Sequence, residues 1–276
     1  MPGRRRSGIF VFAVLFFFTA TAIADCLPSG PLEAVQVDTA SDGDSLRLRD
    51  GQRLRLRLLS INAPERARDG KAGEDFAEQA HRALIALLPA NKRVYIRRHG
   101  SDRYQRLLAE VYTRPDGGHL GEALLRQGLA RFIAVPPQLR QPDSRCLIAA
   151  EQQARQNALG LWSRPIAAAT DLSHPRDSGF KVIRGRVEKI STSATAIWVD
   201  LDGDVVLRIS KRDQSHFADQ PWQHWPGKEI EVRGWLRWRK TKGNFAPLKM
   251  DLRHPLMIEV LDPDTTGGTE SGRRTQ

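Results

Sequence analysis

A strict alternation of leucine and arginine in residues 46–58 constrains the fold of this chain more than any other feature. Outside the turn Asp50-Gly51-Gln52, the even positions are leucine and the odd positions are arginine. Successive side chains of a β-strand point to opposite faces, so a period of two predicts a hairpin with a leucine face and an arginine face. The Asp-Gly pair suits the positive φ angles of a tight hairpin turn and sets the pairing register.

The predicted hairpin brings charged groups of both signs towards one place. Asp44 precedes its first strand, Arg57 lies near the end of its second strand, and Pro64-Glu65 ends that strand in a loop. A carboxylate, a guanidinium and a second carboxylate are therefore expected to lie near one another.

The composition is that of a globular protein with a basic excess. The chain has 276 residues, of which 40% are hydrophobic and 27% are charged, enough for one or two domains with buried cores. Its formal net charge of +11 favours a polyanionic partner, either nucleic acid or an anionic membrane surface.

The N-terminus has the parts of a secretory signal peptide. Arg4-Arg5-Arg6 precede an apolar run over residues 9–18, and Ala22-Ile23-Ala24 provides the small residues of a cleavage site. We predict that residues 1–24 are removed on export to the periplasm or the medium, which takes away three arginines and leaves a charge of +8. An uncleaved anchor is the alternative. The run is short for a membrane span, so we expect no stable membrane insertion.

Two cysteines, Cys26 and Cys146, remain in the mature chain. An oxidising compartment favours a disulfide between them, which would tie the mature N-terminus to a late helix. Closing so long a loop stabilises a fold by ~3–5 kcal/mol in the loop-entropy model. Two free thiols are the alternative.

Residues 25–163 mix strands with helices and predict an α+β, mainly β, barrel-like domain. Apolar residues recur at helical spacing over residues 76–88, and Pro89 ends this helix. Two more helices are predicted over residues 120–127 and 144–158, each followed closely by a glycine that stops it.

The pattern changes in the remainder of the chain. Residues 164–179 lack a strong period and are predicted to form a linker. Residues 180–263 carry five or six short strands, the number expected of a second, smaller OB-like β-barrel. Residues 264–276 are rich in Thr, Gly, Ser and Arg and are predicted to be disordered.

Several segments of the first domain stand in a recognisable order and spacing. They are Asp44, Arg57-Leu-Leu-Ser-Ile-Asn-Ala-Pro-Glu65, Asp102-Arg-Tyr-Gln-Arg106, Glu122-Ala-Leu-Leu-Arg-Gln-Gly-Leu-Ala130 and Gly160-Leu-Trp162. On these residues the sequence resembles the thermonuclease, or micrococcal (staphylococcal) nuclease, family over most of residues 34–163. The resemblance implies an OB-type five-stranded barrel with helices and a calcium-dependent phosphodiesterase that cuts DNA and RNA.

The resemblance implies a catalytic role for Arg57, Glu65 and Arg106, which match the family's catalytic positions. Hydrolysis of a phosphodiester builds negative charge on the phosphate, and planar guanidinium groups can grip two of its oxygens at once. Glu65 would orient the attacking water and take its proton as general base. The alternatives are a solvated arginine at 57, a turn carboxylate at 65 and an ordinary ion pair of Arg106 with Asp102 or Glu110.

Asp44 and Asn62, together with Ala63, match the positions that bind calcium in the family. Calcium prefers oxygen ligands, which these residues supply. Asn62 stands where the family usually has aspartate, so the site keeps an oxygen ligand but loses a charge, and calcium affinity is expected to fall. Asp44 has an alternative role as a turn residue beside Gly43.

The expected substrate contacts differ from those of the family's prototype. Ala134 and Pro136 stand where its substrate-stacking tyrosines would fall. Arg103 and Tyr104, beside the predicted catalytic Arg106, are expected to contact substrate, with Tyr104 either hydrogen-bonding a phosphate or merely packing.

A further aromatic residue is expected in the second domain. On the strand predicted over residues 229–239, period two places Trp235 between Arg233 and Arg237 on one face. Such a face suits a single-stranded nucleic acid, whose bases stack on the ring while the arginines pair with its phosphates. A contact between the two domains is the alternative role of Trp235.

Together these observations predict an exported, calcium-dependent nuclease that acts on DNA, RNA or both, without an obligate protein partner. A catalytically weak or inactive nucleic-acid-binding protein on the same scaffold is the alternative. A basic membrane-surface protein is a third candidate, but an amphipathic helix with a basic face is not apparent after residue 24. The histidines are scattered without the spacing of a zinc site.

Overall fold

The computed structural model describes residues 25–49, 54–134, 141–241, 243 and 245–261. The predicted signal peptide, the turn at residues 50–52, Pro136 and the predicted tail at residues 264–276 lie outside these ranges. No helix within them is long and apolar enough to span a membrane.

The first domain is built around a closed sheet. Its strands are β1 (Glu33–Asp42), β2 (Ser45–Leu48), β3 (Arg55–Leu58), β4 (Ile61–Asn62), β5 (Arg93–Ser101), β6 (Leu107–Arg114), β7 (Gly117–His119) and β8 (Arg131–Phe132). Strands β1, β2, β3, β5 and β6 form a barrel, because β3 pairs with β2 on one side and with β6 on the other. The predicted five-stranded barrel is therefore confirmed. Strands β4 and β8 pair separately.

The alternation of leucine and arginine forms the antiparallel hairpin of β2 and β3, as predicted. Leu46 lies opposite Leu56, and both are fully buried. Arg47 lies opposite Arg55, and both are exposed. Arg57 departs from this arginine face, since only 7% of the residue is exposed.

Among the described residues, three helices pack against the strands of the first domain. They are α1 (Ala77–Leu87), α2 (Leu120–Arg126) and α3 (Gln141–Gln156). The first two lie where the sequence predicts them. Helix α3 begins three residues before the predicted start at residue 144.

A disulfide joins Cys26 to Cys146, as predicted. The two cysteines are 120 residues apart in the chain, and the second belongs to α3. The backbone N–H of Cys26 also donates to the Glu122 carboxylate of α2 at 2.9 Å. The first described residues are thereby held against two helices of the first domain.

The second domain is also a closed barrel. Its strands are β9 (Ala167–Ala168), β10 (Gly179–Thr192), β11 (Ala196–Leu201), β12 (Val205–Ser210), β13 (Glu229–Trp238), β14 (Leu248–Leu252) and β15 (Ile258–Leu261). Strands β10 to β14 close into a ring through the pairing of β10 with β13. The predicted second OB-like barrel is confirmed.

The predicted linker, residues 164–179, holds ordered structure against the second barrel. It contains β9, which pairs in parallel with β10, and 3-10 helices at Ala169–Asp171 and Pro175–Asp177. Ala169 is fully buried in the second core.

A buried ion-pair cluster joins the two barrels. Nη1 of Arg233 on β13 donates to Glu151 of α3 at 2.5 Å and to the carbonyl of Phe132 on β8 at 3.3 Å. The other carboxylate oxygen of Glu151 accepts the backbone N–H of Phe132 at 2.7 Å. Arg233 shares a face with Trp235 as predicted, but the first barrel packs against this part of β13 and buries Arg233, while Trp235 and Arg237 stay exposed.

Candidate functional site

One end of the first barrel carries a buried ion pair between Asp44 and Arg57. Arg57 lies opposite Ser45 in the hairpin register, so Asp44 is its neighbour across the two strands. One oxygen of Asp44 also accepts the backbone N–H of Ala63 at 2.8 Å, and the other accepts the Ser45 hydroxyl at 2.9 Å. These contacts hold the carboxylate, which is only 4% exposed as a residue, in one orientation.

A tight turn after β3 brings Asn62 back onto Arg57. Ser60 adopts a left-handed φ of 65° in this turn, a conformation that costs about 1–3 kcal/mol outside glycine. Its carbonyl accepts the N–H of Ile133, which anchors the turn. Nη2 of Arg57 then donates to Oδ1 of Asn62 at 2.8 Å and to the carbonyl of Ile61 at 3.2 Å. The guanidinium is thus held from two sides.

Glu65 lies at the edge of this cluster, in the loop after β4. The residue as a whole is exposed, but packing around its carboxyl group removes part of its hydration. This desolvation, with the charges of Asp42 and Asp44, raises the pKa of Glu65 to about 7 against the opposing effect of Arg57. A carboxyl group with that pKa exchanges protons readily near neutral pH.

Asp42 is a third carboxylate of the cluster, to which sequence reasoning assigned no role. It is 7% exposed, and its side chain hydrogen-bonds with that of Glu65. Gly43 follows it because a Cβ there would lie 2.8 Å from the Cβ atoms of Ala63 and Ala80. The signal that could have found Asp42 is the Asp-Gly-Asp order itself, since a glycine needed for close packing places both flanking carboxylates at the site.

Arg103, Tyr104 and Arg106 form a neighbouring group at the turn between β5 and β6. Nε and Nη2 of Arg106 both lie 2.7 Å from one oxygen of Asp102. The guanidinium carbons of Arg103 and Arg106 lie 4.7 Å and 5.5 Å from the centre of the Tyr104 ring. Tyr104 is 53% exposed, so this group presents both an aromatic ring and cations to solvent.

The parallel pairing of β3 with β6 relates the two groups. Arg57 lies opposite Leu108 in this register, and the pleat puts Arg106 on the same face as Leu108, two residues away. The structure therefore brings five predicted site residues together and leaves three at the adjacent turn. The first set is Asp44, Arg57, Asn62, Ala63 and Glu65, and the second is Arg103, Tyr104 and Arg106.

Trp235 belongs to the second barrel but lies at the end that faces the loop after β4. It is 42% exposed and makes an edge-to-face contact with Phe180, with ring centres 5.1 Å apart. Gly179, which precedes Phe180 on β10, lies close to the loop after β4, since a Cβ built on it would be 3.7 Å from one oxygen of Glu74. The other oxygen of Glu74 accepts the backbone N–H of Glu65 at 3.2 Å.

The second barrel also covers Ala134, where the resemblance leads us to expect an aromatic residue in the family's prototype. Ala134 is 3% exposed, and its N–H points to the sulfur of Met257 in the second domain at 3.1 Å. A tyrosine side chain at this position would have to displace the second barrel.

The cluster supplies oxygen atoms of the kind that hard cations bind. Asp42 and Asp44 offer carboxylates, Asn62 an amide oxygen and Ala63 a carbonyl, which suits calcium or a similar ion. Across the described ranges, no group of three or more His, Cys, Asp or Glu side chains is arranged to hold a metal ion. The Asn62 oxygen accepts from Arg57 at 2.8 Å and the Ala63 carbonyl accepts from the Asn62 amide at 3.3 Å. The donor set therefore fits a cation when these two oxygens are counted with the carboxylates and turn from their present partners to the ion.

A five-stranded barrel with carboxylates and arginines gathered at one end is typical of a protein that acts on phosphate groups. Comparison with known proteins identifies the family. The family model described as staphylococcal nuclease homologue matches residues 55–164. This match includes Arg57, Asn62, Ala63, Glu65 and Arg106, while Asp44 and the second barrel lie outside it.

Curated relatives agree with this match. The chain is 34% identical over 125 residues to a protein of Pyrenophora tritici-repentis named probable endonuclease lcl3, which covers 41% of this chain and 43% of that protein. It is 32% identical over 134 residues to endonuclease YncB of Bacillus subtilis, and this match covers 47% of this chain and 62% of that protein. It is 31% identical over 134 residues to protein ParB of Escherichia coli, and this match covers 46% of this chain and 70% of that protein. The matches span less than two thirds of the Pyrenophora and Bacillus proteins.

The chain belongs to the staphylococcal nuclease homologue family. The resemblance of the sequence to that family is thereby confirmed, and the second barrel is an addition to the matched domain. Proteins of the family are generally metal-dependent.

Proposed function

We propose that this chain is a calcium-dependent nuclease that hydrolyses phosphodiester bonds in DNA, RNA or both. The observation that carries the proposal is the convergence of Asp44, Arg57, Asn62 and Glu65 at one end of the first barrel. Phosphodiester hydrolysis needs a base for the attacking water and positive charge at the phosphate. Membership of the family, and relatives named endonuclease, support the same reaction class.

Glu65 is the proposed general base. Its carboxyl group stands at the edge of the cluster, where water reaches it, and Asp42 and Asp44 raise its affinity for a proton. An ionised Glu65 with a pKa near 7 is a stronger base than an ordinary glutamate. It would orient a water molecule and accept its proton as the new bond to phosphorus forms.

Arg57 and Arg106 are proposed to balance the charge that grows on the phosphate. Arg57 is held by Asp44 and Asn62, so its positive charge is fixed in place before substrate arrives. Arg106 uses Nε and Nη2 for Asp102, and its Nη1, which has no partner among the described residues, would bind a phosphate oxygen. Arg103 and Tyr104, exposed beside it, would bind the neighbouring part of the strand.

Asp44, Asn62 and the Ala63 carbonyl would hold the calcium ion, which polarises the phosphate as a Lewis acid when bound. Asn62 brings no charge to this set. We therefore expect weaker calcium binding than a site with aspartate there would show.

We further propose that the protein is exported. Residues 1–24 have the composition of a signal peptide, and the disulfide between Cys26 and Cys146 is of the kind that persists in oxidising compartments.

A nucleic-acid-binding protein without cleavage is the second candidate. Arg106 is ion-paired to Asp102, and an arginine that keeps this pair makes a weaker contribution to the reaction.

Cleavage of labelled single-stranded DNA and RNA by the mature protein separates the two candidates. The measurement compares calcium with chelator for the wild type and for Glu65→Gln, which keeps shape but not basicity. Cleavage that needs calcium and is lost in Glu65→Gln supports the proposal. Tight binding without cleavage in either condition overturns it in favour of the second candidate.

A further inference from the structure

The open end of the second barrel contains a cleft of about 720 Å³ that has no part in the site described above. It forms where β13 ends and the chain turns towards β14, with the turn between β11 and β12 on its other side. Trp238, Arg239, Lys240 and Phe245 line it, together with Asp204. Its volume is within the range of sites that bind small organic groups such as a nucleotide base.

Two aromatic rings in this cleft are open to solvent. Trp238 is 38% exposed and Phe245 is 72% exposed. Large aromatic rings left uncovered at a cleft mark a surface that binds something. Flat rings of this kind bind the flat faces of bases by stacking.

Cations surround these rings. Arg239 and Lys240 line the cleft against the single carboxylate of Asp204. Within the described part of the chain, no carboxylate pairs with Arg237, Arg239 or Lys240 at 4.0 Å or less, so their charges are available to an external anion. The cleft is therefore both aromatic and cationic.

Arg239 extends this surface to a third aromatic residue. Its guanidinium lies 5.5 Å from the centre of the Trp198 ring, and Arg208, the cross-strand partner of Trp198, lies 5.7 Å from it on β12. Two N–H groups of Arg239 donate to the carbonyl of Ala246, which holds the guanidinium in position and leaves its remaining donors free. A preorganised guanidinium binds phosphate at lower entropic cost than a mobile lysine.

We propose that this cleft binds single-stranded nucleic acid, with bases stacked on Trp238 and Phe245 and phosphates bound by Arg239 and Lys240. Base faces are available only in an unpaired strand, which is why the proposal is for single strands rather than duplex. The inference concerns binding alone and goes beyond the proposed function of the first barrel. A strand held here would be kept on the enzyme between cleavage events.

Fluorescence anisotropy of a labelled oligothymidylate tests the proposal. The full mature chain carries Glu65→Gln and is measured in chelator, so that binding is separated from cleavage. We expect Trp238→Ala and Phe245→Ala each to weaken binding by about 5- to 100-fold, the usual effect of losing a stacked ring. Lys240→Gln should reduce the slope of log affinity against log salt by about 0.7, the value for one phosphate contact on a single strand.

Val260→Ala is the matched control, since Val260 is 36% exposed on the same barrel but lies outside the cleft. It should leave the affinity unchanged. Urea unfolding checks that each variant is folded, and Phe245→Ala decides the test if Trp238→Ala is unstable, because Phe245 is the more exposed ring.

Unchanged affinity in folded Phe245→Ala overturns the proposal. So does equal affinity for a duplex of the same length, or equal affinity for polyglutamate, which would show a general anion-binding surface. A wild-type protein that binds through the cleft but cleaves nothing with calcium would refute the proposed function and leave this inference standing.

Discussion

In the first barrel the buried arginine, Arg57, stands beside Glu65 at an end that water reaches, whereas in the second barrel the buried arginine, Arg233, points into the neighbouring domain. Both barrels close with five strands and both arginines pair with buried carboxylates. The difference is what lies next to the pair. Beside Arg57 lies Glu65, an exposed residue whose carboxyl group has a raised pKa, and beside Arg233 lie the Glu151 carboxylate and the Phe132 carbonyl of the first domain.

The same barrel architecture thus places one buried arginine at a candidate reaction site and the other at the interface between the two domains. A buried pair that borders water can exchange a partner for a substrate phosphate, because the new contact replaces part of the hydration that is lost. A buried pair inside an interface can only hold the two sides together. Arg233 thereby fixes β8, whose partner β4 carries Asn62.

The largest effect is expected from Arg233→Leu, which leaves Glu151 buried without its partner. Removing one member of a buried pair costs about 3–5 kcal/mol of unfolding free energy, measured by urea denaturation. Arg237→Leu, at an exposed position of the same strand, should change it by less than about 0.5 kcal/mol. Equal effects of the two substitutions would mean that the interface pair is not what holds the barrels together.

The next largest effect is expected on the cleavage rate, where Arg57 should differ from Arg55, an exposed arginine on the same strand. Arg57→Lys keeps the charge but loses the planar fork that binds Asp44 and Asn62 together, and cleavage of single-stranded DNA should fall by about 100- to 1000-fold. Arg55→Lys, at the exposed end of the strand, should retain most activity. Similar rates for the two variants would remove Arg57 from the proposed site.

A smaller effect is expected on the pH dependence of stability. Glu110 of the first barrel has a lowered pKa, whereas the pKa of Glu65 is raised. Burial raises the pKa of Glu110, but the His99 ring, with Nε2 3.4 Å from the carboxylate, and hydrogen bonds from Arg97 and Tyr112 outweigh it and lower the pKa from 4.5 to about 2. The stabilisation by Glu110 is therefore present above pH 4.5 and is lost as the pH falls towards 2, up to about 3 kcal/mol. Acid unfolding curves of Glu110→Gln should lack this pH-dependent part, and a curve parallel to the wild type would contradict the assignment.

The smallest effect is expected from Trp235→Ala. One edge of the ring is occupied by Phe180, so only part of it is available to a base, and single-strand affinity should fall by about 2- to 5-fold. A loss of unfolding free energy without any loss of affinity would instead favour the alternative, a contact that supports the domain interface.

Sequence reasoning predicted elements well where a single local pattern decides the structure. The alternation of leucine and arginine led directly to the β2–β3 hairpin, and the two cysteines led to the disulfide. Period two placed Arg233 on the face opposite Ile230 and Val232, but it could not show whether that face meets solvent. At this point β13 has protein on both faces, its own core on one and the first barrel on the other.

The candidate site was predicted in part. Asp44, Arg57, Asn62, Ala63 and Glu65 were assigned by resemblance and are gathered by the structure, whereas Asp42 was missed. The Asp-Gly-Asp order marks Asp42 only weakly, since its place in the site depends on the loop that carries Glu65 returning to it. Ala134 shows the same limit, because its contact with Met257 of the second barrel joins residues far apart in the chain.

The sequence by itself determined the secondary structure of both barrels, the disulfide and the family, because these depend on side-chain period, cysteine number and a motif contained in a few short segments. Only the tertiary structure decided which arginines are buried, which carboxylate receives a raised pKa and where the second barrel touches the first. Those properties follow from desolvation and from distances between residues far apart in the chain, which no local pattern encodes.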